Sequence, residues 1–574
     1  MHARSIAMLD GWTDEEFEVL RSPWLLWGHF ALTCVLFVVA GVCQWLRSGP
    51  EVPNSVGFFH PFTSDGGGGE RVLWCAVREI QRARPDCQCV IYTGDDATGE
   101  ELARRAKERF GVELRAVPGV VKLRWRGLVV PERYPVLTMV GQAIGGALLT
   151  AEAVTSYRPT VFFDTVGHAF GYPVAKLAGC VVACYVHYPT ISSDMIARVA
   201  SRADTYNNRS IVAHSWLLSV LKLAYYKSFA VVYGACGRYA ACVAANSSWT
   251  AAHLRRLWRV DRVRVVYPPC DVAGLTDFSL SDRSGGGRGD IQGGVQGGRG
   301  VKGVEGIEGV ERVDGGDGSG EGPYLVSVGQ FRPEKDHALQ LRAWAKMRAD
   351  ERDADTPSVP SDARLKIVGG CRGEADKRRL DALRATAKDL GVDDSVEFHV
   401  DVPYARLREL LGGAAAGVHT MLDEHFGICV VEYMAAGAVP IAHDSAGPAM
   451  DIVVPAVRPE ASEGDEGPPN DASGDDVRLP VGFLATTVDG YADAMWAALS
   501  MTEDERVTMA TLARARADVF SERAFNGAFI DAMAPALASL ALDRRDAILE
   551  AAGVRTRGPR GAASPAGGPR RRRG

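Results

Sequence analysis

Glu424-His425-Phe426-Gly427-Ile428-Cys429-Val430-Val431-Glu432 runs on through Tyr433-Met434-Ala435-Ala436-Gly437 into Val439-Pro440-Ile441-Ala442. The first residues read as a loop, and Gly427 stands at a helix start. Gly437 is placed to end that helix, and Val439 to Ala442 reads as a short strand. Loop, helix and strand in this order form a unit of a parallel α/β sheet. Two carboxylates flank the helix start, Glu424 in the loop and Glu432 two turns into the helix. Orphan N–H groups at Gly427, Ile428 and Cys429 would face an anion, with the helix dipole in support. Such a set suits a sugar joined to a diphosphate. Glu424 can accept hydrogen bonds from sugar hydroxyls, and Glu432 from a ribose. Taken alone, such a pair is more often just solvated charges on an amphipathic helix.

Working outward, Tyr324 to Gly329, Leu365 to Gly370, Val396 to Phe398 and Ala416 to His419 read as strands of the same series. An earlier series runs through Ser55 to His60, Val90 to Thr93, Val161 to Asp164 and Val181 to Val186. Apolar strands alternating with helical stretches predict two Rossmann-like, doubly wound α/β domains in tandem. They would meet in a cleft formed by the carboxyl ends of their strands, where such sheets bind ligands. A chain of 574 residues with 47% hydrophobic content can fill two such cores.

The predicted organisation is an N-terminal segment over residues 1–52, a first Rossmann-like acceptor domain over 53–280 and a disordered glycine-rich insert over 281–322. A second, nucleotide-sugar domain follows over 323–500, interrupted by a disordered acidic loop at 460–476. Helices over 501–554 and a basic disordered tail over 555–574 complete the chain. The tail holds seven arginines. The overall net charge of −6 nevertheless argues against a nucleic-acid partner with a broad basic surface.

Residues 24–46 form a run of 23 residues without a charge, bounded by Arg21 and Arg47. At about 1.5 Å per residue, this run can cross a hydrocarbon core of roughly 30 Å. Trp24, Trp27 and Trp45 lie near its ends, as an interfacial belt would. A cleaved signal peptide is the rival, but an acidic stretch precedes the run where a basic one would be required. Flanking charge leaves the orientation of the anchor open. Two further apolar stretches, Val136 to Val154 and Ile211 to Val232, fit buried helices. The second also fits a helix lying on a membrane, with Lys222 and Lys227 at the headgroups.

Gly67-Gly68-Gly69-Glu70 follows the first strand and opens a helix. Its glycines would let backbone approach a phosphate or sugar closely. The third glycine of a dinucleotide fingerprint is missing, and a plain turn has the same composition. Arg332 and Lys335 follow a strand of the second series and can bring two positive charges to a diphosphate, although a capped helix start also fits. His187 follows the strand Val181 to Val186 at the expected cleft edge, and His168 follows another strand. A lone histidine is more often structural. Twelve scattered cysteines give no paired zinc spacing, and no H-E-x-x-H occurs. Asp353-Ala354-Asp355 sits in a polar loop, so no metal is expected.

Together, these residues resemble the retaining GT-B glycosyltransferases of family four. His60-Pro61-Phe62, Gly66 to Trp74, Tyr185 to Ser192, Asn246 to Thr250 and Val266 to Cys270 narrow the likeness. They are similar to the endoplasmic-reticulum α-1,2-mannosyltransferases that extend the lipid-linked precursor for N-glycosylation. This resemblance implies GDP-mannose as donor and a dolichyl-diphosphate Man3GlcNAc2 glycan as acceptor, with two α-1,2-mannoses added in succession. It implies a single-pass protein of the endoplasmic-reticulum membrane with cytosolic catalytic domains. Other mannosyltransferases of the same assembly line are candidate partners, and neither cofactor nor metal is expected. By motif, His187 and Glu424 become the catalytic candidates. Gly67, Gly68, Arg332, Lys335, Gly427, Ile428, Cys429 and Glu432 become the donor-binding ones. Many relatives carry arginine where this chain has Gln330, and Arg332 is the candidate replacement. The residues alone also fit another membrane-bound retaining GT-B transferase, making α-1,3 or α-1,6 linkages or using a UDP-sugar. A non-catalytic sugar- or lipid-binding scaffold fits them as well.

Overall fold

Phe58, Phe59, Phe162 and Phe163 are buried side by side on neighbouring parallel strands, Phe58 opposite Phe163 in the register. Alternate side chains of a strand face opposite sides of its sheet, so these residues feed two separate cores, as a sheet covered on both faces requires. The structure is a computed structural model that describes residues 23–64, 66–201, 216–281, 322–350, 358–457 and 478–540. Apart from residues 281 and 322, the predicted glycine-rich insert lies outside these residues. The loop 460–476, the tail 555–574 and Asp353-Ala354-Asp355 lie outside them as well.

The first sheet contains β1 (Glu51–Phe59), β2 (Gln88–Thr93), β3 (Gly119–Lys122), β4 (Arg158–Asp164), β5 (Val181–Val186), β6 (Cys242–Ala245) and β7 (Val263–Val265). They are ordered β3-β2-β1-β4-β5-β6-β7, every pair parallel. The second sheet contains β8 (Tyr324–Val328), β9 (Arg364–Gly369), β10 (Val396–Val400), β11 (Ala416–Val418) and β12 (Val439–His443). A short antiparallel ribbon of β13 (Ala456–Val457) and β14 (Arg478–Leu479) precedes its last strand, β15 (Phe483–Ala485). Here the order is β10-β9-β8-β11-β12-β15, again all parallel. In both sheets the winding reverses beside the first strand, between β1 and β4 and between β8 and β11. The carboxyl ends of strands at such a reversal are where this architecture leaves a crevice.

The chain does not end on its second lobe. The helix Glu522–Ala538 returns to the first sheet and buries Phe525, Phe529 and Met533 in its core. Each buried Phe or Met of this kind contributes roughly 1.5–3 kcal/mol. At the start of this helix, Glu522 pairs with Arg78 at 2.8 Å and Arg71 at 3.5 Å, both on the helix Gly68–Ala83.

A 24-residue helix, Pro23–Leu46, covers the predicted span. The side chains of residues 23–32, 35 and 36 lie outside the described set. Among the described residues, no helix is long and apolar enough to cross a membrane. Phe37, Val38, Val39, Val42 and Trp45 on this helix are exposed, whereas Leu46 is buried. Arg47 ties its end to the first lobe by donating from Nε to the Leu177 carbonyl at 3.0 Å. The other two apolar stretches become the helices Thr138–Ser156 and Trp216–Gly237. Each buries one side in the first lobe and exposes apolar residues on the other, including Ile144, Leu148, Val231 and Val232.

Candidate active site

Gly427 adopts φ +103°, a left-handed conformation that glycine reaches without a Cβ penalty, and it caps the helix Ile428–Ala436. Gly437, at φ +83°, ends that helix as the spacing predicts. Among the described residues, the amides of Gly427, Ile428 and Cys429 have no acceptor, as expected of a helix's first turn. They do not face bulk solvent alone. A Cβ built on Gly68 would lie 2.5 Å from Ile428 Cδ1, so the first lobe's glycine loop and the second lobe's helix start meet directly. Gly68 opens the helix Gly68–Ala83, and Gly67 caps it. A Cβ on Gly67 would meet nothing within 4 Å. Gly69 faces the ring of His187, whose Nε2 would lie 3.5 Å from a Cβ there.

His187 leaves the end of β5. Burial pushes its pKa down to about 4, opposed by a backbone hydrogen bond at Thr165 and assisted by His425. Its Nε2 is buried and has no partner among the described residues. With the ring neutral, Nε2 is the ring atom left to meet a ligand. His168 is different. Its ring packs edge-on against Phe59, 6.2 Å between centroids, beside Asp164, and it belongs with the core of the first lobe.

On the second lobe, Lys335 donates from Nζ to Glu424 Oε2 at 2.6 Å. The two side chains are largely buried, with 22% and 14% of their surface exposed. Sequence reasoning assigned Lys335 to phosphate and Glu424 to sugar; the structure joins them to each other. Burial alone would raise the Glu424 pKa, but His419 and Lys335 hold it well below the usual carboxylate range. Burial likewise opposes the charge on Lys335, and Glu424 more than offsets it. Arg332 is not drawn into this pair. It is 44% exposed, and its ion-pair partner among the described residues is Glu334, at 3.9 Å. Glu432 has no hydrogen-bond or ion-pair partner among the described residues. Burial raises its pKa to about 7; Arg71 opposes the rise and Asp271 adds to it.

Sequence reading missed several residues. His419, immediately after β11, sits between Glu424 and Cys429, with Nε2 3.2 Å from Glu424 Oε2 and Nδ1 3.4 Å from Cys429 Sγ. Its place just beyond a strand end at the winding reversal is the signal that could have found it. Thr420 accepts from Gln340 at 2.9 Å and donates to the Lys335 carbonyl at 2.7 Å, fixing the loop that carries Lys335. Across the lobes, Arg198 pairs with Asp423, and the rings of Tyr188 and His425 lie 4.3 Å apart. Asp451 accepts from the Ser248 amide at 2.8 Å and from the Tyr267 hydroxyl at 2.9 Å. His187 and Glu424 are thus each next in sequence to one half of an aromatic contact between lobes. Asn246, in an Asn-Ser-Ser sequon, is buried, and the following Ser247 caps the helix Ser248–Trp258. Among the described residues, no group of three or more His, Cys, Asp or Glu is arranged to hold a metal ion.

Two doubly wound lobes facing each other across such a junction define the GT-B glycosyltransferase class. Solved structures agree on the fold. The chain matches the Candida albicans trehalose-6-phosphate phosphatase N-terminal domain with TM-score 0.53 at 10% identity, covering 86% of this chain and 98% of that one. It matches Anabaena Alr3699/HepE in complex with UDP and glucose with TM-score 0.50 at 15% identity, covering 84% and 99%. Residues 53–258 match the model of the ALG11 mannosyltransferase N-terminus, and residues 317–462 match glycosyl transferases group 1. The mouse protein named GDP-Man:Man(3)GlcNAc(2)-PP-Dol alpha-1,2-mannosyltransferase is 40% identical over 83% of this chain and 86% of its own length. The human protein of the same name is 38% identical over 90% and 96%. The chain belongs to the family of GDP-Man:Man(3)GlcNAc(2)-PP-Dol alpha-1,2-mannosyltransferases.

Proposed function

We propose that this enzyme transfers mannose from GDP-mannose, with retention, to Man3GlcNAc2 on dolichyl diphosphate, forming two successive α-1,2 linkages. The observation that carries the reading is the junction itself. Gly68 of the first lobe meets Ile428 at the helix start, next to Gly69 and His187, and the largely buried Lys335–Glu424 pair lies on the second lobe.

Chemistry follows from where charge develops. Breaking the anomeric C–O bond leaves negative charge on the diphosphate and positive charge on the ring. The free amides at 427–429 are fixed donors for that leaving group, and Lys335 can turn to it from Glu424, in a partly dry site where such donors are strongest. We assign no metal to this role; activity that survives chelation by EDTA is the expected result. The neutral His187 offers its Nε2 to a sugar hydroxyl. Glu424, held by cations, accepts from other hydroxyls, and the unpartnered Glu432 accepts from the ribose. We favour front-face attack. The departing phosphate oxygen takes the acceptor hydroxyl's proton as the new C–O bond forms on the face that the phosphate leaves. A trapped covalent glycosyl–Glu424 intermediate would replace this route with double inversion.

We further propose that the Pro23–Leu46 helix is a single anchor in the endoplasmic-reticulum membrane, with the catalytic lobes cytosolic. Its charge-free sequence and exposed Phe37, Val38 and Val39 support this. The exposed apolar sides of the helices Thr138–Ser156 and Trp216–Gly237 would rest on the same bilayer. The test combines purified enzyme, radiolabelled GDP-mannose and a defined lipid-linked trimannosyl acceptor, followed by α-1,2-specific mannosidase. Two labelled residues released by that mannosidase are expected. A product that resists it, or equal turnover of UDP-sugars, would overturn the assignment.

A further inference from the structure

His419 lies at the centre of the second lobe's charges and has no assigned role. Its ring is buried, with Nε2 3.2 Å from Glu424 Oε2 and Nδ1 3.4 Å from Cys429 Sγ. The Nε2 contact is close enough for an ion pair, although it lies off the line of a good hydrogen bond. The backbone carrying the ring is fixed from several sides. The His419 amide donates to the Ile441 carbonyl at 2.8 Å, and the Tyr491 hydroxyl donates to the His419 carbonyl at 3.0 Å. Tyr433, which accepts from the Val328 amide, also donates to the Val418 carbonyl beside it.

Glu424 Oε2 therefore has two cationic neighbours, Lys335 and His419, which differ in what else they can do. Lys335 has a flexible stem and follows β8, so a diphosphate lying at the 427–429 amides competes for its Nζ. His419 is buried and rigid and cannot follow the phosphate. When Lys335 turns to the diphosphate, Glu424 would be left as a buried, uncompensated anion unless a fixed cation remained.

We propose that His419 is the positioning residue for the sugar-recognising carboxylate, keeping Glu424 ionised and aimed while Lys335 is engaged by the donor's diphosphate. This rests on the reading of Glu424 as the acceptor for mannose hydroxyls. The other titratable groups around the ring are Cys429, His337, His443, Tyr433 and Tyr491. Burial first, then Lys335 and His419, push His337 down to about 4, so it is neutral at the same pH. Burial also lowers His443. For His419 itself, burial opposes the charge, but Cys429 and Glu424 raise the pKa to about 9. Its contribution to sugar recognition is thus present at neutral pH and fades as pH rises through that value.

The test measures equilibrium binding of GDP-mannose and of GDP to the full chain in detergent, for wild type, His419→Ala, His419→Gln, Glu424→Ala and the His419→Ala/Glu424→Ala double variant. A positioning role predicts that His419→Ala lowers affinity for GDP-mannose relative to GDP by about tenfold, the usual scale for a lost charged contact. The double variant is then no worse than Glu424→Ala, because His419 acts through Glu424. His419→Gln, which keeps a neutral donor of similar polarity, retains part of the sugar preference and loses its decline above pH 8.5. It also carries the test if the alanine variant does not fold. An unchanged sugar preference in both His419 variants, or effects that add to those of Glu424→Ala, would overturn the proposal and leave the functional reading intact. Wild type that fails to bind GDP-mannose would overturn both.

Discussion

Glu432→Gln isolates a conflict between stability and ligand recognition. Glu432 is a half-buried carboxylate without a partner among the described residues, and desolvation raises its pKa from 4.5 to about 7. A tenfold change in an equilibrium constant is about 1.4 kcal/mol, so the ionised side chain destabilises the fold by on the order of 3 kcal/mol. The sign follows from proton counting. Between pH 4.5 and 7 the folded chain holds a proton on Glu432 that the unfolded chain has lost, so stability falls as pH rises across this window. Glutamine has nearly the same shape and does not titrate. Glu432→Gln should match wild type near pH 4.5, gain on it as pH rises, and hold a constant advantage above pH 8.

Thermal midpoints of both proteins across pH 5 to 8.5, without nucleotide, measure that difference. Calorimetry of GDP binding supplies the functional half. If ribose hydroxyls bind the ionised carboxylate, wild type releases about half a proton at pH 7, while Glu432→Gln releases none and binds about tenfold more weakly. A stability difference that stays flat with pH, or a glutamine variant less stable at pH 8, would refute the idea that Glu432 is held unpartnered for a ligand.

Lys335→Ala should lower kcat by about 10²–10³ in the radiolabel assay, the usual loss when one donor to a developing anion is removed. Gly68→Ala places a methyl 2.5 Å from Ile428 Cδ1. Because Cδ1 is the flexible end of that side chain, a rotamer change should absorb the overlap at a cost of about 1 kcal/mol or less, read as a fall in kcat/KM of about fivefold at most, which Ile428→Ala should remove. His187→Ala should depress kcat, while in wild type this ring should impose no pH limb between 5.5 and 8, because burial keeps it neutral above about 4. Phe529→Ala empties a fully buried site where the returning helix packs on the first sheet. It should cost about 3–5 kcal/mol, read as a lower thermal midpoint.

Much of the architecture was legible because strand and helix periodicities are local. The apolar runs ending at His60, Thr93, Asp164, Val186 and Gly329 became parallel strands, and Gly427 and Gly437 bracket the helix as their spacing required. The return of the helix Glu522–Ala538 was not legible. Phe525, Phe529 and Met533 mark a buried face, but nothing in their spacing says which sheet covers it. Lys335 and Glu424 were each visible as charges after strand ends. Their pairing depends on β8 and β11 being neighbours, a fact of winding and not of either segment. In sequence His419 reads as the end of a strand, because an Ala-Gly-Val-His run carries no sign of the carboxylate five residues later. Arg332 stands apart from that pair for a related reason: proximity in sequence to Lys335 does not bring its guanidinium to Glu424.

The polar groups of the site divide by whether they already have partners, and that division bears on selectivity. Among the described residues, His187 Nε2, Glu432 and the amides at 427–429 are unpartnered, so a ligand meets them without breaking a contact there. Lys335 and Glu424 are satisfied by each other. A nucleoside diphosphate alone can claim Lys335 only by stripping Glu424 of its shorter contact. A sugar alone offers Glu424 hydroxyls but gives Lys335 no anion. Only a molecule carrying both a diphosphate and a sugar, a few ångströms apart, replaces both halves of the broken pair. On the proposed reading, the ion pair makes preference for the joined donor over its two fragments a property of the protein's own resting contacts. Lys335→Met tests this. Removing the pair should weaken GDP-mannose binding while narrowing its advantage over GDP. An advantage that widens would mean the pair plays no part in selection.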